Sequence, residues 1–304
     1  MSEPNKHRDV PRTRTLKARM TSAGESFASL NCSSATQPLT DPNTGGSPVP
    51  PGTAFAAGPG KTLTNVHVNL IFWGAWWTNN PVADRIIAGV KALLAGPYLT
   101  YLAQYGVHRG DVRGTTFVLD SEPGNGQPFT IKNVTDRVQN LLDDDQLPEP
   151  DDNWPNVYAF IMPINSTFTT AGVVGQNTQV IWNDLDLGDV DNDPAYCLWV
   201  GNDGTADFVT TVFSHELAEL ATDPNEGNGV RQIGCTGGSC QIGDPGTSWC
   251  DIVSGVKAQS YWSIADNALV LPRMYSVRRT LAGKSIGGKL PRTPSTNAWI
   301  ASQF

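Results

Sequence analysis

Residues 205–224, TADFVTTVFSHELAELATDP, narrow the possibilities for this chain more than any other segment does. Phe208, Val209, Val212, Phe213, Leu217 and Leu220 recur at helical spacing, Asp207 stands as an N-cap, and Pro224 forbids continuation, which predicts a helix from about 207 to 222. A helix this apolar has to be largely covered by the rest of the protein. It nevertheless carries His215, Glu216 and Glu219. His215 and Glu219, four residues apart, project from one face and can reach one ion, while Glu216 sits about 100° round the axis. Unpaired charges are costly to bury, so such a cluster inside an apolar helix calls for a cation.

Two ligands one helical turn apart, with a glutamate beside the first, are the geometry of H-E-x-x-H metallopeptidases, in which that glutamate takes a proton from metal-bound water. The second ligand here is a carboxylate, giving H-E-x-x-E. Zinc accepts carboxylate oxygens at about 2.0–2.2 Å. An added anionic ligand makes the ion a weaker Lewis acid and raises the pKa of its water. Calcium and manganese therefore stay open as alternatives. The competing reading is a chance H-E-x-x-E on a solvated helix face; the apolar surroundings and a total of four histidines in the chain weigh against it.

The remaining sequence supplies a fold class. VHVNLIFWG, from Val66, is a near-continuous apolar run of the kind a strand buried on both faces requires. In residues 82–95 the period changes, with Ile86, Ile87, Val90, Leu93 and Leu94 on one helical face and Gly96-Pro97 at its end. TTFVLD and QPFTIKN read as strands, VTDRVQNLLDD as a helix, VYAFIMPI and TQVIW as strands. This alternation predicts an α/β domain with a mixed sheet and an active-site helix. Its expected limits are 61–272, preceded by a Pro/Gly-rich leader or pro-segment, 1–60, and followed by a basic extension, 273–304. Residues 143–156 form an acidic, Pro-bearing surface loop. In NDLDLGDVDNDPAY, Asp189, Asp191 and Asp193 have the alternate spacing of a calcium loop but lack the EF-hand glycine and terminal glutamate, so an acidic turn competes with a calcium site.

Charge limits the partners. The formal net charge is −8, but residues 1–20 hold six Lys/Arg against two acids and residues 271–304 hold six against none. Nine bases face 27 acids between these ends. So acidic a body excludes nucleic acid as its main partner. No run of eighteen apolar residues occurs, which predicts no transmembrane segment, and the N-terminus lacks the apolar part of a classical export signal. Of five cysteines, Cys235, Cys240 and Cys250 fall in one Gly-rich loop that a short disulfide could staple; the odd total leaves at least one thiol free or paired outside the chain.

FSHELAELATDP, then QIGDPGTSWC, then VKAQSYWSIADNALVLP, together with the upstream VHVNLIFWGAWW and YLTYLAQYGV, resemble the exordium-like, phosphate-induced protein family and its bacterial and fungal relatives. The likeness runs from about residue 64 to 272. It implies a zincin-like domain and an extracellular location, although a cytoplasmic one stays open without an export signal. His215, Glu216 and Glu219 match the family's H-E-x-x-E element, and Gln241, Ile242, Gly243 and Asp244 its E-I-G-D element. Gln241 departs from the family's glutamate and Leu269 from its cysteine. Asp244, which matches, becomes the third candidate ligand.

Asp223 is the other candidate, although along a regular helix its Cα would lie about 12 Å from that of His215. A C-terminal turn is the simpler role for Asp223-Pro224. Tyr261 could offer a hydroxyl to a developing oxyanion, with core packing as the competing role. The expected function is a zinc endopeptidase in which His215, Glu219 and Asp244 hold the metal and Glu216 activates water on a polypeptide substrate. The alternative is a non-catalytic secreted or surface binding protein that keeps the scaffold with a structural metal.

Overall fold

The computed structural model describes residues 53–151, 155–182, 193–225, 227–236, 240–246 and 248–272. In chain order these form β1 (Phe55–Ala57), β2 (Asn65–Trp73), α1 (Val82–Ala95), the short α2 (Pro97–Thr100), β3 (Arg109–Val118), α3 (Ile131–Asp143), β4 (Asn156–Ile161), β5 (Gly175–Trp182), β6 (Asp193–Val200), α4 (Ala206–Thr222), β7 (Val230–Gln232), β8 (Cys250–Val253), β9 (Val256–Gln259), β10 (Tyr261–Ser263) and β11 (Ala268–Val270). The protein is therefore a mixed α/β structure.

Its centre is a five-stranded sheet in the order β3-β2-β4-β6-β5, parallel except for β5, which runs antiparallel to β6 at the edge. Alternation along each central strand divides the core in two. Val66, Val68, Leu70 and Phe72 of β2, Val157, Ala159 and Ile161 of β4, and Leu198 and Val200 of β6 share one apolar cluster with α1 and α4. Ile71 and Trp73, Tyr158 and Phe160, and Cys197 and Trp199 from the same strands face the other way and pack with α3. Helices thus cover both faces, which explains why these strands read as unbroken apolar runs.

Several boundaries differ from the sequence reading. QPFTIKN is not a strand: Thr130 and Asn133 form a reciprocal capping box and start α3 at Ile131. Thr205, whose hydroxyl accepts from the Phe208 amide at 3.2 Å, caps α4 in place of Asp207. The structured chain also begins ahead of Lys61, since β1 pairs antiparallel with β7 and Phe55 stacks on Trp262 with centroids 5.1 Å apart. Residues 1–52 and 273–304, Asp189 and Asp191 lie outside the described residues; Asp193 opens β6 opposite Trp182.

The stretch Val82–Tyr105 is long and apolar enough for a bilayer-crossing helix by length and composition alone. The chain breaks at Gly96, however, and Ile86, Val90, Leu93 and Leu94 pack into the core beside α4. A Cys235–Cys240 disulfide is present, and Cys197 is a free, buried thiol.

Candidate metal centre

Three segments meet on α4. The helix is buried from Val209 to Thr222, with the Thr211, Ser214 and Thr222 hydroxyls turned back onto its own carbonyls. The β8–β9 hairpin lies along it: the Thr210 hydroxyl donates to Lys257 O at 2.9 Å, and the Gln259 amide donates to the Ser214 hydroxyl at 2.9 Å. From the other side comes the antiparallel edge strand, whose residues 175 and 177 point at the helix. Built on the Gly175 backbone, a Cβ would lie 2.5 Å from Val212 Cγ1 and 2.6 Å from Glu216 Oε1, so only glycine allows this approach.

The third segment is the turn Gln241–Asp244. Asp223 directs the chain towards it as α4 ends, its carboxylate accepting from the amides of Gly227 at 3.0 Å, Asn228 at 3.1 Å and Gly229 at 2.6 Å. Asp223 is therefore committed to the C-terminal turn, as its separation from His215 along the helix suggests. The turn itself is closed by Asp244 Oδ2, which accepts from the Gln241 amide at 2.8 Å, and is tied to β10 where the Trp262 amide donates to Ile242 O at 2.7 Å. Gly243 rests directly on the histidine; a Cβ there would sit 2.7 Å from His215 Nδ1 and 2.9 Å from Glu219 Oε1.

His215, Glu216 and Glu219 each place one donor atom within 4.8 Å of the others, all buried. Nε2 of His215 lies 3.2 Å from Glu219 Oε1 and 3.9 Å from Asp244 Oδ1. A tetrahedral zinc shell with bonds of about 2.0–2.2 Å separates its donors by about 3.3–3.5 Å, a span those two distances bracket. The one amide of Asn177 donates both to Glu216 Oε2 at 3.0 Å and to Glu219 Oε2 at 3.2 Å. His215 Nε2, Glu216 Oε1 and both side-chain polar atoms of Gln241 are buried without a hydrogen bond. Unsatisfied polar atoms of this kind are rare in folded proteins and costly, and His215 and Glu216 both belong to the buried donor cluster.

Protonation follows from that burial. Removal from water pushes Glu216 well above the usual carboxylate range, the nearby Asp244 pushing the same way and the Asn177 hydrogen bond opposing. Burial likewise raises Asp244 to about 7, against hydrogen bonds from the Gln241 amide and Glu219 and the charge of Arg231. It lowers His215 to about 4. At neutral pH the imidazole is uncharged, as a metal ligand must be. A divalent cation would favour ionised carboxyl groups at the same positions, so the donor set fits a metal.

Tyr261 stands apart from this arrangement. Its hydroxyl donates to Tyr98 O at 2.8 Å, its ring packs edge-on against Tyr98, and burial holds its pKa far above the ordinary tyrosine value. The hydroxyl is thus spent on the core, which leaves Tyr261 a packing role instead of the oxyanion role entertained from sequence. His67, paired with Asp111 and Arg113, is structural too. No protein-family model, curated protein or solved structure matches this chain.

Three contributors escaped the sequence reading: Asn177, Gly175 and Gln259. A glycine within a strand pattern can mark a close backbone approach, so Gly175 left a faint signal. Asn177 and Gln259 left none, because nothing in their local spacing relates them to His215.

Proposed function

We propose that the protein is a zincin-like, metal-dependent hydrolase, a zinc endopeptidase, with His215, Glu219 and Asp244 as ligands. The observation that carries this reading is the convergence of these three donors, with Glu216 beside them, in a buried space bounded by Gly175 and Gly243. A bound zinc ion would polarise a carbonyl and acidify a water molecule. The chain's own residues supply the rest. Glu216 accepts the proton at its free Oε1 while Asn177 holds Oε2, and burial gives this carboxyl the raised basicity a proton acceptor needs. The substrate proposed with this activity is a polypeptide. The location proposed with this activity is extracellular, in keeping with the Cys235–Cys240 disulfide.

One observation favours a second reading. Glu216 and Glu219 are 0% exposed, and a site so enclosed also suits a structural ion in a non-catalytic binding protein. Elemental analysis of the full chain and digestion of a broad peptide library, with and without chelator, separate the two. The hydrolase reading expects about one zinc per chain, cleavage abolished by chelator, and a Glu216→Gln variant that keeps its zinc but cleaves nothing. Metal without cleavage would support the structural ion, and absence of metal would overturn both.

A further inference from the structure

We infer that Gln259, at the end of β9, is a positioning residue that holds His215 in the tautomer unable to bind a metal through Nε2, so that loading the ion requires Gln259 to turn away. The inference rests on the metal-site reading above. The side-chain nitrogen of Gln259 lies 2.8 Å from His215 Nδ1 and 2.9 Å from Gly243 O. A backbone carbonyl only accepts hydrogen bonds, so the amide group facing it has to be the NH2 end. With the oxygen in that place, two acceptors would face each other at 2.9 Å.

The second hydrogen of that NH2 points at Nδ1, which therefore receives a hydrogen bond and carries no proton. The proton of the neutral ring consequently sits on Nε2. There it faces Glu219 Oε1 at 3.2 Å and Asp244 Oδ1 at 3.9 Å, and it makes no aligned hydrogen bond to either. Metal-bound histidines are arranged the other way round, with the distal N–H donating to a carboxylate or carbonyl. To ligate through Nε2, His215 must lose the proton there and gain one at Nδ1, with no net change on the ring. The Gln259 NH2 must leave at the same time, because it would oppose the new N–H. Gly243 O does not become orphaned, since the Ser248 hydroxyl also donates to it at 2.9 Å. The amide is 4% exposed and packed beneath the hairpin, so its turn is an internal rearrangement.

Gln259→Glu and Gln259→Met test this. The glutamate replaces the donor with an acceptor suited to Nδ1–H, its carboxylate having to shift off Gly243 O, which keeps the Ser248 hydroxyl, and the methionine removes the donor while keeping the bulk. Ring tautomers are read by nitrogen NMR on metal-free, histidine-labelled full chain, with His215 assigned by substituting His7, His67 and His108 in turn. Zinc affinity is measured by competition with a chromophoric chelator. Expected are Nε2–H in the wild type, Nδ1–H in Gln259→Glu with zinc bound about tenfold or more tightly, and no weaker binding by Gln259→Met. A residue that merely supports the fold would weaken zinc binding in both variants and leave the tautomer unchanged. Nδ1–H in the metal-free wild type, or Nε2–H retained in both variants, overturns the inference. If no variant binds zinc but the proton follows residue 259, the Gln259 assignment stands and the metal-site reading fails.

Discussion

Asn177 on the edge strand donates to Glu216 Oε2 across a distance of 3.0 Å, and the same nitrogen reaches Glu219. One amide thus joins the outermost strand of the sheet to two acids on the central helix.

Asn177→Ala should remove the donor to Glu216 Oε2, which is too buried for water to take its place. Leaving a buried polar group without its partner costs about 1–3 kcal/mol. The variant is expected to lose about 2 kcal/mol of stability, of the order of one such group. Urea denaturation of metal-free protein measures the loss, and zinc should restore part of it by giving the two acids a cation.

The protonation of Asp244 sets how zinc uptake depends on pH. Its carboxyl, raised to about 7 by burial, must ionise before it can bind the metal, whereas His215, lowered to about 4, is already neutral. Apparent zinc affinity should therefore fall as pH drops through about 7, by about tenfold per unit for the proton that Asp244 takes up in competition with the ion. A chelator titration across pH 5–8 tests this, and Asp244→Asn should bind more weakly with a flattened profile. The same break retained in Asp244→Asn would mean that another group controls binding instead.

Gly175 and Gly243 allow the edge strand and the Gln241–Asp244 turn to close on α4. An added methyl would meet Glu216 and Val212 in one case and the imidazole in the other. Overfilling a packed interior costs about 1–3 kcal/mol. Gly175→Ala and Gly243→Ala should both lower the melting temperature. Gly243→Ala should also weaken zinc binding, because it displaces the histidine ring that Gly175→Ala does not touch.

Asp223→Ala tests the division of labour among the acids. Three amides, at residues 227–229, lose their acceptor, and an unsatisfied buried amide costs about 1–3 kcal/mol. Stability should drop by about 2–3 kcal/mol with little change in zinc affinity beyond that of the weakened fold. Loss of zinc with stability unchanged would return Asp223 to the ligand set.

The sequence made the sheet legible where both faces are buried. The apolar runs of β2 and β4 have one physical explanation, and α4 announced itself by its period and by Pro224. Phe129 and Thr130 misled because β-branched and aromatic neighbours suggest a strand, while the Thr130–Asn133 capping pair acts locally and more strongly. β1 was hidden for the opposite reason. Three residues among Pro and Gly have no periodic signature, and only pairing with β7 and the stacking of Phe55 on Trp262 make them a strand. At the centre, His215, Glu216 and Glu219 could be found because one helical turn groups them. Asp244 needed a likeness to other sequences, and Asn177 and Gln259 depend on tertiary closure that leaves no mark in local spacing.

The Cys235–Cys240 bridge ends one residue before Gln241, at the root of the turn that carries Asp244. A chain maturing among abundant reduced thiols would still form its central helix but would lose the tether at the entry of the proposed third ligand, Asp244. Metal capacity would then record where the chain had matured: two batches of identical sequence, one oxidised and one not, would differ in zinc retention.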